Sequence, residues 1–157
     1  MSVTKSGQSS LIVVVRWIAI VPTAIISDVL FDSVFMHIVR WNIGHIWFVN
    51  DPEPFVPLFS GAAGALAFVL SGAAVAPNSR GIVALVLAVL EVIVGSFLLG
   101  LFVTGVMSNQ SPLAAGVNIL GHVLGAGVGF YTVFRAFGWR GHGNMSLLWR
   151  AKWPHNV

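Results

Sequence analysis

The most constraining feature of the sequence is an apolar run, residues 81–107, that contains a single charged side chain, Glu91. An α-helix rises about 1.5 Å per residue, so about 20 apolar residues cross the ~30 Å hydrocarbon core of a bilayer. Only 8% of the whole chain is charged and 57% is hydrophobic, whereas soluble domains carry about 25% charged residues. The chain is therefore predicted to be an integral membrane protein, with residues 1–157 forming one domain.

Three further segments are apolar and long enough to cross a membrane. The predicted spans are 11–36, 56–75, 81–107 and 113–137. Pro22 is compatible with the first span, because neighbouring groups in a helix bundle can satisfy the backbone oxygen that a proline frees. The predicted fold is an all-α bundle of four transmembrane helices. Residues 37–57, which contain tryptophans, histidines and an acidic turn, are expected to form an interfacial segment between helices 1 and 2.

Basic residues predict the orientation of the bundle, because Lys and Arg collect on the cytoplasmic side of membranes. All but one of them fall on the same side of a four-span arrangement: Lys5, Arg16, Arg80, Arg135, Arg140, Arg150 and Lys152. Arg40 is the exception. Both termini are therefore expected to be cytoplasmic, in a multi-pass protein of the cell membrane. The tail 138–157, basic and rich in tryptophan, is expected to lie on the lipid interface; binding of a partner protein by this tail is the alternative.

Composition also excludes several kinds of function. The eight Lys and Arg residues are spread over membrane-flanking segments and form no continuous basic stripe, so no nucleic-acid partner is predicted. The chain has no cysteine, which excludes disulfides, thiolate metal sites and cysteine nucleophiles. The expected partners are the lipid bilayer and other membrane subunits or further copies of this chain.

Small residues at four-residue spacing predict where the helices pack most closely. Lipid tails are as apolar as leucine, so membrane helices associate through close backbone approach, which small side chains permit. These positions are Ser60, Gly61, Gly64 and Ala65 on the second span and Gly121, Gly125 and Gly129 on the fourth. The second and fourth spans are therefore expected to pack tightly, and a ridge used for oligomerisation is the alternative role.

Five polar residues are candidates for a site at membrane depth. Counting the helical rise from the ends of the predicted spans places Asp28, Glu91 and His122 near the midplane on three different spans. Asn118 lies one turn outward of His122 on the same face, and Asp32 lies nearer the outer surface. Because an unpaired carboxylate at that depth is costly, these residues are expected to form one buried cluster in which His122 pairs with a carboxylate. The cluster is either a hydrogen-bond network that fixes helix register or a working proton or cation site.

The same residues are also possible ligands for a metal or a cofactor. One histidine and two or three carboxylates could bind a divalent ion or iron. No local ligand spacing such as His-x-x-x-His or Glu-x-x-His is present, however, so no metal is predicted. His122 alone could ligate haem or a chlorophyll-type pigment, which the absorption spectrum of the purified protein would decide.

Two short motifs suggest a family. The sequence GHVLGAGVG, residues 121–129, resembles the last core helix of rhomboid intramembrane proteases, in which a histidine is followed by glycines at +3 and +7. Ser60 followed by Gly61 looks like the nucleophile motif of that family. The resemblance implies that Ser60 would be the nucleophile and His122 its base. Rhomboids have a six-helix core and a glycine two residues before the nucleophile, where this chain has four predicted spans and Leu58.

Three classes of function remain open. The first is a non-catalytic subunit or accessory protein of a membrane assembly, which the sequence favours because no motif for chemistry is complete. The second is a small oligomeric proton or cation transporter or channel that uses Asp28, Asp32, Glu91 and His122. The third is a rhomboid-like serine protease that uses Ser60 and His122. The sequence thus favours a protein that is not an enzyme.

Overall fold

The computed structural model describes residues 4–46, 56–104 and 112–138. They form four helices: α1 (Thr4–Ile46), α2 (Val56–Val75), α3 (Arg80–Val103) and α4 (Pro112–Phe137). Each helix contains a segment long and apolar enough to cross a membrane: Ser10–Trp41, Val56–Val75, Arg80–Leu101 and Ala115–Phe137. This confirms the predicted all-α bundle of four spans, and the chain is a multi-pass membrane protein.

The helix bounds agree with the predicted spans for α2 and α4 within a residue and for the start of α3, and residues 105–107 of the third predicted span lie outside the described residues. The helix α1 extends beyond its predicted span at both ends. It begins at Thr4 and ends at Ile46, so the first part of the expected interfacial segment is a continuation of α1. No proline interrupts the chain between Pro22 and Pro52, and nothing in that stretch forces the helix to end. The rest of the expected interfacial segment, 47–55, and the interfacial tail, 139–157, lie outside the described residues.

The second helix is the centre of the bundle. α2 packs against all three other helices, most extensively against α1 and α4, and α3 packs mainly on α4. Half of the residues of the α2 span are buried, against 11% in the most apolar part of α1. A small-residue sequence suits this position, because a central helix must approach its neighbours closely.

Glycines set the distance between α2 and α4. A side-chain carbon at Gly121 would contact the backbone oxygen of Leu58, and one at Gly125 would contact the backbone of Ala62. At Gly129 the same carbon would lie 3.0 Å from the Cβ of Val69. The three glycines of α4 that were predicted to pack on the second span therefore lie along the α2 interface, against backbone at Gly121 and Gly125 and against the Val69 side chain at Gly129.

The apolar core lies beside this interface. Buried side chains from all four helices form one cluster that includes Ala24 of α1, Phe68 and Val69 of α2, Leu87 of α3 and Val133 of α4. All the side chains of this cluster are small, aliphatic or aromatic, so this part of the interior is apolar.

Two arginines mark one end of the bundle. The guanidinium Nε of Arg16 donates to the carbonyl of Val75, the last residue of α2, at 2.9 Å. Arg80 Nε donates to the carbonyl of Ala76 at 3.4 Å, and its guanidinium lies 4.9 Å from the ring centroid of Phe137. Carbonyls at a helix C-terminus lack intrahelical partners and attract cations. Arg16 on α1 and Arg80 on α3 therefore lie at the same end.

Candidate intramembrane cation site

Three ionisable side chains from three helices meet inside the bundle. Asp28 comes from α1, Glu91 from α3 and His122 from α4. Each can offer one ligand atom, a carboxylate oxygen or a ring nitrogen, and these atoms all lie within 4.8 Å of one another. Each helix on its own places one of these residues at the middle of its apolar span, so only the packed bundle brings them together.

The shortest contact in this cluster joins His122 to Glu91. The His122 Nδ1 and Glu91 Oε1 atoms are 2.5 Å apart. Glu91 is buried, with 8% of its surface exposed, so the ring nitrogen provides a partner for a carboxylate that would otherwise be isolated at membrane depth. An isolated carboxylate there is several kcal/mol less stable than in water, and pairing with the ring offsets part of that cost.

Asp28 is less well satisfied. Its Oδ1 atom is buried and accepts no hydrogen bond, and it is the only such side-chain atom in the described part of the chain. The oxygen lies against α2, where a side-chain carbon at Gly64 would be 2.5 Å away. Buried polar atoms in native proteins almost always have a partner, so an unpartnered carboxylate oxygen at this depth calls for a positively charged or hydrogen-bonding ligand.

Two glycines of α2 form the wall behind the cluster. A side-chain carbon at Gly61 would lie 2.8 Å from His122 Cδ2 and 2.9 Å from Asn118 Oδ1. Gly64, one turn further along α2, leaves room for Asp28 in the same way. The sequence indicated these glycines for helix packing alone. Their spacing of three residues places them on one face of α2. This spacing is the feature of the sequence that indicates that both glycines could flank the same site.

A cavity of about 360 Å³ opens beside the cluster. Its polar lining consists of Asp28, Glu91, Asn118 and His122, and apolar residues from all four helices, including Phe68 of α2, form the rest. Asn118 therefore faces the same space as the three ionisable groups. On α1 the lining residues Val21, Ile25 and Asp28 follow the helical repeat and lie on one face of the helix.

The remaining candidates lie apart from the three-residue cluster. Asp32, one turn beyond Asp28 on α1, has its Cβ near Gly64, but its carboxylate does not belong to the group of ligand atoms that converge. Ser60 is buried on α2, with 1% of its surface exposed. The hydrogen bond that His122 makes goes to Glu91 and not to Ser60.

Comparison of the chain with protein-family models, with curated proteins and with solved structures gave no match. A fold of four apolar helices hosts many functions, so the chemistry of the site, and not the fold, indicates what the protein does.

Proposed function

We propose that the protein binds a cation inside the bilayer at Asp28, Glu91 and His122, and that it works as a small cation transporter or channel. The observation that carries the proposal is the convergence of three ligand atoms, from three separate helices, within 4.8 Å. Ionisable residues within transmembrane segments are rare and mark ion pathways or proton relays in many membrane proteins.

The alternative role for the same residues is a hydrogen-bond network that only fixes helix register. Such a network stabilises a bundle when every buried polar group in it has a partner, and a half-satisfied network is worse than an apolar core. His122 and Glu91 satisfy each other, but Asp28 Oδ1 has no partner. The unpartnered oxygen of Asp28 and the cavity that the Asp28 residue lines favour a site that receives a ligand.

The proposal includes an orientation and an assembly. Both termini would be cytoplasmic in the cell membrane, which is supported by the position of Arg16 and Arg80 at one end of the bundle. Self-association would complete a pathway that four helices are too few to enclose. A reporter fused after Arg80 and another at the C-terminus should both read as cytoplasmic.

Ion flux into proteoliposomes tests the proposed function. The purified chain is reconstituted, and uptake of protons, alkali ions and divalent ions is followed with ion-sensitive dyes enclosed in the vesicles. Glu91→Gln keeps the shape of the side chain and removes its charge. It should reduce flux about tenfold or more, since a loss of ~1.4 kcal/mol at the site is a factor of ten.

Asp32→Asn is the matched control, because it removes a carboxylate one turn from Asp28 that does not belong to the cluster. Its flux should equal that of the unaltered protein. The proposed function would be refuted if, for every ion, flux were no greater than in empty vesicles. Equal flux in Glu91→Gln and in the unaltered protein would refute it as well.

One observation favours the second candidate, a subunit of a membrane assembly. The apolar part of α1, Ser10–Trp41, has 32 residues, and as a helix it is about 48 Å long. Most of its surface is exposed, including Ile18 and Ile26 at 70% and 65%. Because the chain has no cysteine, single-cysteine variants at these two positions can be crosslinked without background. Crosslinking to another membrane protein, with no flux by the isolated chain, would favour the subunit.

A further inference from the structure

We propose that the cation bound at Asp28, Glu91 and His122 is a divalent transition-metal ion such as Zn²⁺ or Fe²⁺. The inference rests on the proposed function of the same site and names the class of ion that it takes. It is carried by the kinds of donor atom, their charges and their separations.

The donor set distinguishes between classes of cation. Magnesium and calcium take oxygen ligands almost exclusively, whereas an imidazole nitrogen is typical of sites for zinc, copper, iron and nickel. His122 supplies one imidazole, and Asp28 and Glu91 supply carboxylates. One nitrogen with two carboxylates resembles neither an all-oxygen cage nor a thiolate site, and it suits zinc or ferrous iron.

The charges also favour a divalent ion. Two ionised carboxylates and a neutral imidazole carry a charge of −2, which a divalent ion neutralises. A monovalent ion would leave one uncompensated negative charge in a medium of low dielectric constant, where an unpaired charge is strongly unfavourable. No Lys or Arg is among the residues that line the cavity, so the described side chains around the cluster supply no permanent positive charge.

The separations of the ligand atoms bracket those of a metal site. Nitrogen and oxygen ligands lie about 2.0–2.2 Å from Zn²⁺, so in a tetrahedron they are roughly 3.4 Å from one another. The ligand atoms of the cluster range from 2.5 Å apart, for His122 and Glu91, to no more than 4.8 Å. An ion at their centre would replace the His122–Glu91 hydrogen bond and supply the positive partner that the Asp28 carboxylate lacks.

The site offers an open coordination position. Three ionisable ligands leave at least one position of a tetrahedral ion for another donor, and structural metal sites are instead closed by four protein ligands. The Asn118 side chain lines the same cavity of about 360 Å³, which also has room for water. An ion held by three ligands beside a cavity can enter and leave, as transport requires. The lack of His-x-x-x-His spacing is no obstacle, because each ligand comes from a different helix.

Cobalt spectroscopy tests the inference on the full chain. Co²⁺ substitutes for zinc and gives visible absorption bands whose energy and intensity depend on coordination number and on nitrogen or oxygen ligation. The tag-free protein in mild detergent is stripped with chelator and titrated with Co²⁺, and Zn²⁺ is then added as a competitor. We expect one Co²⁺ per chain, displaced by Zn²⁺ but not by a large excess of Mg²⁺ or Ca²⁺.

His122→Gln and Glu91→Gln should each weaken Co²⁺ binding by about 100-fold or more, because loss of even an outer-shell partner costs 10–100-fold in metal affinity. His37→Gln and Asp32→Asn are the controls. His37 is exposed on α1, where its Nδ1 bonds to the carbonyl of Ser33, and Asp32 lies outside the cluster. Both controls should therefore bind Co²⁺ as the unaltered protein does. Retention of the gel-filtration profile in all four variants shows that the bundle still folds.

The inference would be wrong if the protein did not bind Co²⁺ stoichiometrically. It would also be wrong if both the His122→Gln and the Glu91→Gln variants still bound Co²⁺ as the unaltered protein does. If the protein binds no Co²⁺ but shows proton or alkali-ion flux that depends on Glu91, the proposed function holds and the ion class is wrong. If binding and flux both fail, the proposed function fails as well.

Discussion

The contact between α2 and α4 at Gly125 gives the sharpest prediction for the stability of the bundle. A side-chain carbon placed there would lie 2.8 Å from the carbonyl carbon and 2.9 Å from the Cα of Ala62, and it would also contact the Ala62 oxygen. The first of these distances is about 0.6 Å below the 3.4 Å at which ordinary contact begins. All three atoms belong to the backbone, so no side-chain rotation can relieve the contact and the two helices must move apart.

Gly127→Ala is a matched control for Gly125→Ala. Gly127 lies two residues further along α4, is exposed, and a side-chain carbon there would meet nothing within 4 Å. Both substitutions gain the same intrinsic helix propensity, up to about 1 kcal/mol in water. The propensity terms cancel in the comparison, and the difference between the two variants is the cost of overpacking, typically 1–3 kcal/mol. We expect Gly125→Ala to be about 2 kcal/mol less stable than Gly127→Ala.

Equilibrium unfolding in mixed micelles measures this difference, with tryptophan fluorescence as the signal. Gly127→Ala should equal or exceed the unaltered protein in stability. If the two variants unfold within about 0.5 kcal/mol of each other, a size typical of surface substitutions, then α4 does not pack on α2 through Gly125 and the backbone contact described here is wrong.

Three further predictions concern the site and one end of the bundle. Gly64→Ala should weaken cation binding about 10–100-fold by displacing Asp28. Gly95→Ala is the control and should not weaken binding, because its added carbon would lie 3.9 Å from its nearest neighbour. Equal Co²⁺ affinities of the two variants would contradict this prediction. Asp28→Asn should reduce flux and assembly more than Asp32→Asn, and equal tolerance of both would count against the cluster. Arg16→Gln should lower the free energy of unfolding by about 1 kcal/mol, because the guanidinium bonds the last carbonyl of α2; an unchanged unfolding midpoint would show that the contact contributes nothing.

The number of spans could be predicted from the sequence because membrane thickness fixes the length of an apolar helix. α2 begins at Val56 and ends at Val75, as predicted, since the Pro77 turn that follows breaks both the helix and the apolar run. α1 extends ten residues beyond the end of its predicted span, because the span was read from the apolar run and the helix continues past it. Hydropathy marks the edge of the bilayer, whereas a helix continues into the polar region until a residue stops it.

The depth of the site in the membrane could be predicted from the sequence, but which of its side chains bond to one another could not. A fixed rise per residue places Asp28, Glu91 and His122 at similar depth on three spans, and the structure brings them within reach of one another. Depth carries no information about the rotation of each helix, which decides that Glu91, and not Asp28, bonds to His122. That rotation depends on which faces of α2, α3 and α4 pack together, a property of the whole bundle.

The small residues of α2 and the polar cluster belong to one arrangement. Both glycines serve close helix packing, since a side-chain carbon at Gly61 would lie 3.1 Å from the backbone oxygen of Asn118 and one at Gly64 would lie 3.3 Å from that of Asp28. Gly61 also lies against the side chains of His122 and Asn118, and Gly64 against the carboxylate of Asp28. A methyl group at either position would occupy space that the polar side chains now fill, so the same small surface that draws the helices together also sets the size of the site. Substitutions of Gly61 and Gly64 should therefore change ion affinity, whereas substitution of Gly125 should change stability first.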